Sequence, residues 1–192
     1  MYLRKIDYYN VIQSDNLDII IRKSEEDLGE EVTVLEFMNR VAISEASALI
    51  AHRYDTNTIF FLEAWSAIKA YSIDELVYYT DNKFYKSLTD SNTGNLPDAG
   101  APNWEEVEDP REPKLLISVL DIALFHIHKR INPRNIPEVR QLAYEDAIEW
   151  LKMVGNDEIT PQGLTKLPLD EAGNEPGAKI EFGGSNKQNM SY

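Results

Sequence analysis

The sequence predicts a mainly α fold: four helices, a small antiparallel β insertion between the second and third, and an extended C-terminal arm. Apolar residues recur at helical spacing in four segments. Between the second and third of these, the period changes to short aromatic runs separated by turn residues. Beyond residue 155 the periodicity stops. The expected boundaries are 1–58 and 110–155 for the helical frame, 59–109 for the insertion and 156–192 for the arm.

The first helix is expected over 14–24, with Ser14 or Asp15 as cap and Leu17, Ile20 and Ile21 on one face. Gly29 follows as a break. Thr33-Val34-Leu35-Glu36 has the form of a capping box and opens the second helix, expected to run to about Tyr54. Its stripe is Leu35, Met38, Ala42, Ala46 and Leu49, widened by Val34, Phe37, Val41 and Ala48. The small alanines and serines invite close approach of another helix. Pro113 opens the third, where a missing N–H is harmless. Leu115, Leu116, Val119, Leu120, Ala123, Leu124 and Ile127 make that helix apolar on more than one face, as a central helix is. Asn132-Pro133 ends it. The fourth begins near Pro137 and carries Val139, Leu142, Ala143, Ala147, Trp150, Leu151 and Val154, with Gly155 expected as its left-handed terminator. The short connection makes the last two helices antiparallel neighbours.

The middle segment reads as a hairpin. Val77 and Tyr79 alternate with Leu76 and Tyr78, Asp81-Asn82 is a turn, and Phe84-Tyr85 begins the return strand. An isolated hairpin is marginal, so its aromatics need a core of their own, bracketed by Trp65 and Trp104. The breaker-rich loop "NTGNLPDAGAPNW" at 92–104 is its final turn, and Trp104 closes it.

The order Trp65, Tyr71, Val77 to Tyr79, Phe84-Tyr85, the Asn-x-Gly-x-x-Pro loop at 92–97 and Trp104 resembles the small chitin-binding modules of chitinases over about forty residues. That resemblance implies sugar stacking by a solvent-facing ring. Trp65, Tyr71, Tyr79, Tyr85 and Trp104 are the candidates for glycan or protein contact. The preferred expectation is protein contact, because the resemblance places both tryptophans in the core.

The helical frame is similar to a family of tailed-phage proteins of Mu-like phages and prophages, related to head–tail connector (adaptor) proteins. The likeness rests on "AHRYD" at 51–55, "PKLLISVLDIALFHIHKR" at 113–130 and "VRQLAYEDAIEWLKMVGNDEI" at 139–159. It implies an adaptor-like frame in a homo-oligomeric ring, usually a dodecamer, beneath the portal protein. Such a ring touches other tail or connector proteins and passes DNA transiently and without sequence preference during ejection. The subunit would be made in the host cytoplasm and end in the virion. The alternatives are a carbohydrate-binding virion protein that uses the aromatic module, and a tail-completion protein. Residues 156–192 hold scattered apolar side chains, of which Ile159, Leu164, Leu167, Ile180 and Phe182 are candidates for docking the arm on a partner.

Composition narrows the classes further. The net charge of −14 over 192 residues lacks the Lys/Arg clusters of a sequence-reading nucleic-acid binder. Between Asp55 and Glu112, twelve acids face only Lys69, Lys83, Lys86 and Arg111. An acidic lumen would keep DNA mobile by repelling phosphates. There is no cysteine, so disulfides and thiolate chemistry are excluded. No apolar run spans a bilayer, and the start, Met1 to Lys5 followed by Asp7, has no export core. His126 and His128, two apart on a helix, point about 200° from each other and cannot share a metal. His52 stands alone. "GGSN" at 183–186 lacks a P-loop lysine. No catalytic residue, metal site or cofactor is expected.

Overall fold

The computed structural model describes residues 2–25, 34–98 and 100–169. The molecule is mixed, about 46% helical, with a small three-stranded antiparallel sheet. Its elements are α1 (Ser14–Glu25), α2 (Val34–Ile50), the single-turn α3 (Thr56–Ile59), β1 (Leu76–Tyr78), β2 (Phe84–Ser87), β3 (Trp104–Val107), α4 (Pro113–Ile131) and α5 (Glu138–Gly155). A 3-10 helix, Lys5–Asn10, precedes them. Neither it nor α3 was expected, because both are short and have no apolar period.

Helix α4 packs against α1, α2 and α5. It buries Leu115, Val119, Leu120, Ile122, Ala123, Leu124 and Ile127, too many positions for one stripe. Pro113 is its first residue, and the Glu112 carboxylate accepts from the Leu115 amide as cap. His128, Lys129 and Arg130 lie in its last turn, where positive charge suits the carbonyl end. The rest of this core comes from Leu17 of α1, Leu35, Ala42, Ala46 and Ile50 of α2, and Ala147, Leu151 and Val154 of α5. No helix among the described residues is long and apolar enough to cross a membrane.

Three local expectations change. Helix α2 ends at Ile50, not near Tyr54. Arg53 and Tyr54 both bond back to the Ile50 carbonyl, and Tyr54 then bridges Lys166. Gly155 is helical, while Asp157 takes the left-handed conformation at φ 64°. Gly155 is needed for space: a Cβ there would sit 2.3 Å from the Leu49 carbonyl oxygen of α2. Gly29, the expected break, and Thr33, the expected cap, lie outside the described residues.

The hairpin forms as expected, with Leu76 opposite Lys86 and Tyr78 opposite Phe84. Asn82 takes the left-handed conformation at φ 65°, and the Asp81 carboxylate accepts from the Lys83 amide. The sheet has a third strand that the sequence did not mark. β3 pairs with β2, Ser87 opposite Trp104 and Phe84 opposite Val107. Trp104 therefore begins a strand as well as closing the loop.

Candidate functional site: the joint between bundle and sheet

The sheet has its own small core of Tyr71, Val77, Tyr85 and Trp104, with Trp65 and Tyr79 packed beside it. Tyr71 meets Trp104 edge-on at 5.4 Å between ring centroids, and Trp65 meets Tyr79 at 5.5 Å. The polar ends of Tyr71, Tyr85 and Trp104 are occupied, whereas the buried Trp65 Nε1 has no hydrogen-bond partner among the described residues. Tyr85 donates to Asp81 at 2.6 Å, Tyr71 accepts from the Ser66 amide at 2.6 Å, and Trp104 donates to the Asn95 carbonyl at 2.9 Å. Burial first, then the Asp81 carboxylate, pushes the Tyr85 hydroxyl up. Tyr71, Tyr85 and Trp104 are buried, while Trp65 and Tyr79 are partly exposed.

The loop that raised the breaker pattern is a hydrogen-bonded wrap around Trp104. Buried Asn92 donates to Ser87 Oγ and the Asn103 carbonyl at 3.1 Å each, and accepts from Asn95 at 2.8 Å. Its backbone exchanges two 3.0 Å bonds with Tyr71. Gly94 takes φ 73°, a conformation that costs glycine little. Sequence reasoning placed Asn92 in the loop motif but missed its place in the core. An asparagine in a turn-rich run looks like any other turn residue until its side chain is seen inside.

A buried ion network fastens the sheet to the bundle. Arg111, 8% exposed, donates to Asp7 through both terminal nitrogens, at 2.7 and 2.8 Å. It also donates to the Tyr2 carbonyl at 2.7 Å and to Asp109 at 2.5 Å. Arg4 adds a second contact to Asp7 at 2.9 Å and reaches the Asn82 carbonyl of the hairpin turn at 3.0 Å. Both guanidinium groups lie over the Phe84 ring, 4.6 and 5.4 Å from its centroid. Burial alone would raise the Asp7 carboxyl, but hydrogen bonds from Arg111 and Arg4 outweigh it and hold it below the ordinary value. Burial would lower Arg111, and its two carboxylates reverse that.

Beside this joint opens a cleft of about 390 Å³. Ile59, Phe61, Leu62, Leu76 and Leu164 form its apolar wall, with Tyr2 and the carboxylates Glu63 and Glu75 among its other lining groups. Phe61 is 67% exposed. The buried Tyr2 hydroxyl has no hydrogen-bond partner among the described residues, and burial raises its pKa. Of the candidate arm residues, Leu164 lines this cleft and packs with Ile159 against the bundle core. Leu167 donates its amide to the Arg53 carbonyl at 2.9 Å. The first part of the arm thus lies along its own chain. Ile180 and Phe182 lie outside the described residues.

The histidines serve three separate contacts. His126 meets Glu45 at 2.7 Å, and Tyr144 donates to the other oxygen of the same carboxylate at 2.5 Å. Burial and then Glu45 push the Tyr144 hydroxyl up to about 12. His128 bonds back to the Leu124 carbonyl at 2.8 Å, and His52 meets the Gly155 carbonyl at 2.8 Å. Glu45, His126 and Tyr144 tie α2, α4 and α5 together. Among the described residues, no three His, Asp or Glu side chains converge as metal ligands would. No protein-family model matches the chain, and neither a curated protein nor a solved structure matches it.

Proposed function

We propose that this chain is a structural virion protein that works by assembly, as a head–tail connector subunit. Its adaptor-like helical frame would tile a ring beneath the portal, and its sheet would be an inserted contact module. The observation that carries the reading is the placement of exposed apolar side chains on two separate parts. Val139 and Leu142 at the start of α5 are 68% and 52% exposed, and Phe61 and Ile68 beside the sheet are 67% and 92% exposed. A ring of identical subunits needs two different patches per copy, because each subunit meets its neighbours head to tail. The buried Arg111–Asp7 joint supports this use, since it holds the sheet at a set position on the bundle. The charge of −14 suits a passage that repels DNA phosphates. Protein contact is preferred to sugar stacking because Tyr71, Tyr85 and Trp104 are buried in the module core.

Electron microscopy of the full chain mixed with portal rings tests this. The expected result is an added ring with the portal's symmetry, lost when Val139 and Ile68 are both changed to Asp. A chain that stays monomeric and adds no density to portals overturns the reading.

A further inference from the structure

Helix α4 carries opposite chemistry at its two ends. Glu112 and Leu115, at its N-terminal end, line the cleft beside the joint, together with Glu63, Glu75 and the exposed Phe61 and Leu76. Asp7 and Asp109 already balance Arg111, the cation in that lining. Lys69 pairs with both Glu63 and Glu75, so three carboxylates face one lysine and the cleft stays acidic. At the other end, Lys129, Arg130 and Arg134 fall within six residues, the densest run of positive charge in the chain, with no acid among them. All three are exposed, and Lys129 and Arg134 have no carboxylate partner among the described residues. Val139 and Leu142, exposed on the first turns of α5, follow Arg134 closely in the chain.

The helix dipole accounts for the sign of the charge at each end. It does not account for the apolar side chains left in water beside those charges. Nineteen residues at about 1.5 Å each set the two ends about 28 Å apart. The basic turn therefore cannot reach the acidic cleft of its own chain. Laid head to tail, two copies bring each end against its complement, in charge and in apolar surface.

We infer that the occupant of the cleft is the α4–α5 turn, residues 132–137, of a second copy of this chain. The cations at 129–134 lie against the cleft carboxylates, and Val139 and Leu142 cover Phe61 and Leu76. Glu63 uses one oxygen on Lys69, and Glu112 uses one on the Leu115 amide. The second oxygen of each is open to an incoming donor. The contact is heterologous: each copy keeps one free turn and one free cleft, so copies add until the array closes. The inference rests on the reading of the chain as a self-assembling subunit, and names which two surfaces meet.

Sedimentation of the full chain from about 1 to about 500 μM measures the contact. The wild type should associate, and raising the salt from about 50 to about 500 mM should weaken that association, because the contact pairs opposite charges. Two variants disable one surface each: Lys129→Glu with Arg134→Glu on the turn, and Phe61→Ala with Glu63→Gln on the cleft. Each alone should bind itself roughly tenfold or more weakly. Mixed in equal amounts, they should form a dimer of wild-type strength that grows no further, since one intact turn and one intact cleft remain between them. Lys129, Arg134 and Phe61 are exposed and Glu63 partly so, and both variants should keep the thermal transition of the wild type. Phe61→Ala alone decides the matter if the double change in the cleft does not fold. A wild type that stays monomeric throughout overturns the inference. So does association that salt does not weaken, a variant that associates as the wild type does, or a mixture of folded variants that fails to pair. Rings on portals that both variants build undiminished overturn this inference alone. A wild type that pairs in solution but adds no ring to portals overturns the ring reading alone.

Discussion

At Asp7 and Arg111, residues 104 apart in the chain, the energetics of the joint concentrate in one buried pair. Removing one partner of such a pair leaves a charge without its counter-ion, which costs more than the pair itself contributes. Asp7→Asn should therefore cost about 3 kcal/mol at pH 7, measured by urea unfolding. The sign of the pH dependence follows from the lowered Asp7 pKa. Its contribution is fully present above the unfolded value of about 4 and is lost as pH falls through the folded value. The gap between wild type and Asp7→Asn should accordingly narrow in measurements near pH 3. Gly155→Ala tests a different constraint at the same scale. Its Cβ would stand 2.3 Å from backbone, which cannot rotate away as a side chain can. The expected loss is about 1–3 kcal/mol, seen as a lower melting temperature. Neither residue's role was legible in the sequence. Arg111 sits among acids as any surface arginine would, and the glycine after a helical run looked like a terminator.

Among the elements, the long helices were legible and the sheet was legible in part. Periodicity, Pro113 and the Asn132-Pro133 stop are local signals, and α4 and α5 begin where those signals place them. β3 was missed because "WEEV" has adjacent glutamates and no alternation. Its glutamates find lysines only across the sheet, Glu105 with Lys86 and Glu106 with Lys83, each at 2.8 Å. The aromatic cluster of Tyr71, Val77, Tyr85 and Trp104 was legible because its residues lie close together in the chain. Trp104 holds that core and the loop wrapped around it. Trp104→Ala should cost about 3–5 kcal/mol. Hydrogen exchange should then show lost protection at the Val77 and Tyr85 amides, with α4 still protected. Equal loss in both regions would mean that the two cores unfold as one.

Over the whole molecule, charge and surface matter more than any single contact. Exposed pairs such as Lys5–Asp18, 2.7 Å apart, contribute little individually, whereas a net charge of −14 repels throughout. Raising the salt from about 10 to about 150 mM should therefore raise the melting temperature, because screening relieves the repulsion. A fall would show that ion pairs outweigh net charge. The sequence by itself determined the four long helices, the central place of α4 and the separate aromatic core, because period, caps and turn residues act over a few neighbouring positions. Tertiary structure decided which charges are buried, where the third strand runs and which half of the α2 stripe stays outside. Phe37 and Val41 look like core residues on a helical wheel. Phe37 is nevertheless exposed and Val41 only partly covered, because the contacts of α2 with α4 and α5, between residues far apart in the chain, cover Leu35, Ala42 and Ala46 instead.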